Sequence, residues 1–163
     1  MSDLWAITAN FNPCHYRTRL ANFRTFRERL GVPLVAVELF YGGRAELEPA
    51  DADILVRIPG KDVLWQKERL LNVALGVLPD ACEAVAWVDC DIVFAAAGWD
   101  RRVLEALESA PVIQPFGTVY DLPRGAACSA RTASTTRSSW AAATRRWPAR
   151  PSGCLATPPA PTG

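Results

Sequence analysis

The chain has 163 residues, of which half are apolar, and its 18 basic and 17 acidic residues nearly balance. This composition is typical of a globular domain and excludes collagen-like and membrane-embedded classes. Because no apolar run approaches the roughly 20 residues that span a bilayer, and residues 1–12 lack the layout of a signal peptide, we expect no membrane span and a cytoplasmic protein.

The first 60 residues predict a strand, a helix and two more strands. Asn12 and Pro13 are typical of the first positions of a helix, and Gly31 with Pro33 indicates its end. Tyr16, Leu20, Phe23 and Leu30 form the apolar stripe of that helix. Short apolar segments predict strands at residues 4–9, 34–40 and 54–58.

The same alternation continues to residue 116. We predict helices at residues 63–78 and 100–109 and strands at residues 84–88 and 112–116. Lys67 lies in the apolar arc of the first of these helices, so it either points into a ligand site or packs its stem and exposes its ammonium. Five strands with helical crossovers predict an α/β fold with a doubly wound, Rossmann-like, mostly parallel sheet.

The composition changes at about residue 126. Residues 1–125 hold 13 basic and all 17 acidic residues, a net charge of −4, and 33 of the Ile, Leu and Val residues. Residues 126–163 hold five Arg, no acidic residue and one aliphatic residue, Leu155. We therefore expect an incomplete α/β domain at 1–125 and a disordered low-complexity tail at 126–163. The abrupt change favours a shifted reading frame near Gly125 over a basic nucleic-acid arm, so we expect no nucleic-acid partner.

Asp89 and Asp91 follow the apolar strand at 84–88. Carboxylates beside a buried strand need a counterion, and two oxygen ligands spaced by one residue can hold a divalent cation together with phosphates. The alternative is a pair of solvated carboxylates. Because the chain has one histidine, His15, and five widely spaced cysteines, any metal site would use carboxylates, which suit Mg or Mn better than Zn.

Residues 4–125 resemble the nucleotide-binding half of a glycosyltransferase with the GT-A fold, related to the family-two-like enzymes. The resemblance rests on Trp-Val-Asp-Cys-Asp at 87–91 as the Asp-x-Asp motif, on the preceding helix at 65–72, and on Thr-Ala-Asn-Phe-Asn at 8–12. The second strand lacks the paired aspartates usual in that family.

The resemblance implies a nucleotide diphosphate sugar as donor, Mn or Mg as cofactor and an acceptor hydroxyl that it does not identify. It implies that Asp91 coordinates the metal and that Asp89 lies near the metal or the ribose. The residues that it places at the nucleotide sugar are Thr8, Asn10, Glu38, Lys67, Asn72 and Asp89.

In this family the acceptor site and the catalytic base come from the second half of the domain. Since no acidic residue follows Asp121, we expect the chain as written to be inactive in transfer. A haloacid-dehalogenase-like phosphatase is disfavoured because Val93 stands where its motif has Thr, and a nucleotidyltransferase because no Gly-rich loop follows the first strand. The alternatives are a nucleotide-binding or misfolded fragment without activity, or a nucleotidyltransferase, which shares the fold and the use of a metal.

Overall fold

The computed structural model describes residues 3–120 and the strand at 142–145. A short 3-10 helix lies at Pro49–Asp51. The strands are β1 (Leu4–Phe11), β2 (Leu34–Phe40), β3 (Ile54–Pro59), β4 (Ala84–Trp87), β5 (Val112–Ile113) and β6 (Ala142–Arg145). The helices are α1 (Arg17–Leu30), α2 (Lys67–Gly76) and α3 (Trp99–Leu107).

The strands form one sheet in the order β3-β2-β1-β4-β6-β5. The first four are parallel, and β6 is antiparallel to both of its neighbours. This arrangement confirms the mixed α/β class and the mostly parallel strands, while the doubly wound, Rossmann-like assignment stays a prediction.

Side chains alternate between two apolar layers, one on each face of the sheet. On one face Leu4 and Leu34 pack in a cluster with residues of α1 and α3, such as Phe23 and Val103. On the other face, the alternate residues of β1 and β2 pack in a second cluster with residues of α2. Because β1 and β2 present apolar side chains to both layers, they read as continuous apolar runs in the sequence. Within the described part of the chain, no helix has the length and apolar character needed to cross a membrane.

The register of β1 and β4 creates the edge on which the candidate site lies. Ile7 of β1 pairs with Trp87, the last residue of β4, so β1 continues four residues beyond its neighbour. The segment that follows β4 stays attached, because the Val88 N–H donates to the Ile7 carbonyl at 3.2 Å. Asp89 and Asp91 therefore leave the sheet beside the end of β1.

The helix α1 begins at Arg17, so the prediction of a start at Asn12 is wrong. Asn12 instead accepts a hydrogen bond from the Tyr16 N–H at 3.0 Å and donates one to Glu46 Oε2 at 2.7 Å. These contacts hold a turn in which His15 has a φ of 53°. Tyr16 is exposed, and the buried residues of the helix are Phe23, Phe26 and Leu30. Gly31 ends the helix in the left-handed conformation, as predicted.

The helix α2 is shorter than the predicted 63–78, because its first turn is replaced by a loop. The Tyr41 hydroxyl and the Leu64 N–H both donate to the Asp62 carbonyl, at 3.2 and 3.1 Å. This turn leaves Leu64 and Trp65 exposed and makes Lys67 the first helical residue.

The strand β6 lies within the tail that we expected to be disordered. Its residues, 142–145, pair with β4 along four positions and with β5 along two. Backbone pairing needs no aliphatic side chains, so composition alone did not indicate this strand. The rest of residues 126–163 and the shifted-frame hypothesis lie outside the described residues.

The Trp99 side chain ties α3 to the end of α1, and we expect its loss to weaken the fold. The Trp99 Nε1–H donates to the Leu30 carbonyl at 2.8 Å, and its ring stacks on Phe94. Trp99→Phe leaves that buried carbonyl unpaired, so the free energy of unfolding in urea should fall by about 1–3 kcal/mol. Trp65→Phe, at an exposed tryptophan, should change it by less than about 0.5 kcal/mol. Equal losses in the two variants would contradict this account.

Candidate functional site

A cavity of about 160 Å³ opens at the carboxyl ends of β1 and β4, and we call it the carboxyl-edge cavity. Four parts of the chain meet there: the end of β1, the first turn of α1, the start of α2 and the segment after β4. The residues that matter for its chemistry are Phe11, Arg19, Trp65, Lys67, Asp89 and Asp91.

Lys67 and Asp89 form an ion pair in this cavity. The Lys67 ammonium contacts Asp89 Oδ1, and the two side chains are 24% and 29% exposed. The Lys67 ammonium faces this cavity, and the interpretation of the cavity as a ligand site stays a prediction. The short loop before α2 produces this placement by making Lys67 the first helical residue.

Asp91 carries the second carboxylate of the cavity. Although the residue is exposed, partial burial of its carboxyl and the negative charge of Asp89 raise its pKa, and the positive charge of Arg19 opposes the shift. The intervening Cys90 has its thiol pKa raised to about 12, mainly by burial, so it is a neutral wall residue. The cavity thus holds two like charges close enough to disfavour each other, a condition that a divalent cation relieves.

The donor set fits a hard cation that shares its coordination with a ligand. Among the described residues, no group of three or more His, Cys, Asp or Glu side chains could hold a metal ion. Two carboxylates alone match the way Mg is usually bound, through one or two carboxylates together with substrate phosphates and water. Asp89 and Asp91 are the residues that would hold it.

A narrow crevice with no room for a water molecule lies at the end of β2, and we call it the second cavity; it is lined by Asn10, Asn12, His15 and Glu38, among others. Glu38 is only 2% exposed. Its Oε1 accepts the N–H groups of Glu46 and Leu47, at 2.6 and 3.1 Å. Its Oε2 has no hydrogen-bond partner and lies 3.5 Å from Arg57 Nε. Glu38 therefore organises the loop at 44–48, which closes one side of this cavity.

The remaining predicted residues are spread around the two cavities. Thr8 is fully buried, and its hydroxyl donates to the Val88 carbonyl at 2.8 Å, which fixes the segment carrying Asp89 to β1. Asn10 is buried beside Glu38 at the second cavity. Asn72 is exposed on α2 and lines neither cavity.

Sequence reasoning missed Arg19 and Trp65. Arg19 is one of five arginines on α1, and nothing in its spacing separates it from the solvent-facing ones. Trp65 was placed within the predicted helix at 63–78, whereas the loop before α2 leaves it 76% exposed at the carboxyl-edge cavity.

Comparison with protein-family models and with curated proteins finds no match to this chain.

The raised pKa of Asp91 predicts a pH-dependent cost to stability. Above the ordinary carboxyl pKa the unfolded chain releases this proton more readily than the folded one, so stability falls as pH rises through the raised pKa. Asp91→Asn should therefore raise the melting temperature at about pH 7, and the gain should shrink as the pH is lowered towards 4. Asp80→Asn, at an exposed residue in the turn before β4, should show no such pH-dependent gain. A melting temperature of Asp91→Asn below that of the parent at neutral pH would contradict the prediction.

Proposed function

We propose that the carboxyl-edge cavity binds the diphosphate of a nucleotide diphosphate sugar together with Mn or Mg, as the donor site of a GT-A-like glycosyltransferase. The observation that carries the proposal is the meeting of two carboxylates, Asp89 and Asp91, with two cationic side chains, Arg19 and Lys67, in one cavity. A doubly wound sheet, which this proposal requires, places such sites at the carboxyl ends of its parallel strands.

The charges of the cavity match the parts of that ligand. The carboxylates supply oxygen ligands for the cation, and the guanidinium of Arg19 and the ammonium of Lys67 are donors for phosphate oxygens. When bound there, a divalent cation neutralises charge on the departing diphosphate. The chain's own residues hold the diphosphate and orient it beside the end of β1.

The nucleoside end of the ligand is proposed to lie toward the second cavity, where Asn10 and Glu38 meet. Since Glu38 Oε1 is already engaged by two backbone N–H groups, we assign Glu38 an indirect part. It holds the loop at 44–48 in place, and that loop contacts the nucleoside.

Metal-dependent nucleotide binding tests the proposal. In calorimetry with uridine and guanosine diphosphate, Mn should raise the affinity of the chain for one of them by at least about tenfold, because the cation links carboxylates to phosphates. Asp91→Asn should abolish that increase, whereas Asp80→Asn should keep it. Nucleotide binding that is independent of Mn and equal in both variants would contradict the proposal and favour the alternative that Asp89 and Asp91 are solvated carboxylates.

Sugar transfer is expected to be absent from the 163-residue chain. An inverting transferase needs a carboxylate that accepts the proton of the acceptor hydroxyl, a contribution of typically about 10² to 10⁴ in rate, and no acidic residue follows Asp121. Incubation with Mn and radiolabelled nucleotide sugars should yield at most slow hydrolysis of the donor. Transfer at ordinary enzyme rates would contradict this view and make Asp121 or Glu38 the base to test.

A further inference from the structure

We propose that the Lys67 ammonium is the counterion of Asp89 in the absence of ligand. When a divalent cation binds at Asp89, the ammonium moves to the phosphates of the ligand. This inference rests on the proposed function and adds to it an order of events. It predicts that the site disfavours a free cation and a free diphosphate and accepts the two together.

The position of the Lys67 ammonium is the first step of the argument. It contacts Oδ1 of Asp89, whose carboxylate is one of the two that a metal would need. An ammonium and a divalent cation cannot share that oxygen closely, since like charges repel. With about a quarter of each side chain exposed, the pair is less screened than a surface ion pair and its replacement has a measurable cost.

The anchoring of Lys67 allows the exchange. Its backbone is fixed in the first turn of α2, where the Leu70 N–H donates to the Gln66 carbonyl at 3.0 Å. Its stem is long and flexible, so the ammonium can move across the cavity while the helix stays in place. Asp89 is held as well, because Val88 is bound to β1 through Thr8 and Ile7.

Charge balance explains why the two ligands must bind together. Without a ligand, the cavity holds Arg19 and Lys67 against Asp89 and Asp91, and these charges cancel. A cation alone adds positive charge beside Arg19 and Lys67, and a diphosphate alone adds negative charge beside Asp89 and Asp91. The cation with the diphosphate changes the balance little, and each protein charge then gains a partner of opposite sign.

Removing Lys67 should have opposite effects on the two ligands. In the full chain, Lys67→Met should bind Mn alone at least about fivefold more tightly, because even two unit charges about 4 Å apart in water repel by about that factor and Mn carries two charges. The same variant should bind uridine or guanosine diphosphate with Mn more weakly. Electron paramagnetic resonance of free Mn measures the first affinity, and calorimetry measures the second.

Three further variants separate charge from folding. Lys67→Gln should bind Mn alone more tightly, as Lys67→Met does, and it serves if the methionine variant fails to fold. Lys67→Arg keeps the charge and should leave the weak affinity for Mn unchanged. Lys61→Met removes an exposed lysine that lines neither cavity and should also have no effect.

An affinity for Mn alone that is unchanged or lower in both Lys67→Met and Lys67→Gln overturns the inference, as does an absence of Mn binding in every variant. The variants can bind Mn more tightly while the parent chain shows no Mn-dependent nucleotide binding. That outcome supports Lys67 as a counterion that competes with the metal, and it contradicts the proposed nucleotide site. The two proposals can therefore fail separately.

Discussion

The two carboxylates that follow β4 need positively charged partners, and this need determines how the candidate site is arranged. The central strands of this sheet are mostly apolar on both faces, and the charged side chains of the carboxyl-edge cavity lie beyond the strand ends. Because β1 runs past the end of β4, the segment with Asp89 and Asp91 emerges against β1 rather than into open solvent. Arg19 and Lys67 approach this segment from helices that pack on opposite faces of the sheet.

This arrangement lowers the stability of the fold without a ligand, as the proposed binding site requires. Asp91 has a raised pKa, which means that its charged form is disfavoured in the fold without a ligand. Sites that hold like charges close together are weakly stable alone and are stabilised by the ligand that neutralises them. The buried hydroxyl of Thr8 and the ring of Trp99 stabilise the fold, because each donates a hydrogen bond to a backbone carbonyl of another part of the chain.

The sequence predicted most elements because the strands before residue 114 are short, mostly apolar runs and the helices have an apolar stripe. Its errors at the helix starts lie where a local turn competes with the helical pattern. Asn12 was expected to start α1, but its side chain closes a turn onto Glu46, a contact with a distant loop that no local pattern reveals. The start of α2 moved for a similar reason, because Tyr41 and Leu64 both bind the Asp62 carbonyl. Lys67, Asp89 and Asp91, which line the carboxyl-edge cavity, were predicted as site residues from their positions in the sequence. Arg19 was not, since its role depends on how α1 packs, and Asn72 lies at neither cavity.

The most direct test is a crystal structure of the chain soaked with Mn and a nucleoside diphosphate, with anomalous scattering measured for Mn. The account predicts one strong anomalous peak in contact with the Asp91 carboxylate and both phosphates, with the Lys67 ammonium moved from Asp89 to a phosphate oxygen. A nucleotide bound elsewhere, or bound in the carboxyl-edge cavity without an Mn peak and with the pair of Lys67 and Asp89 intact, would contradict it.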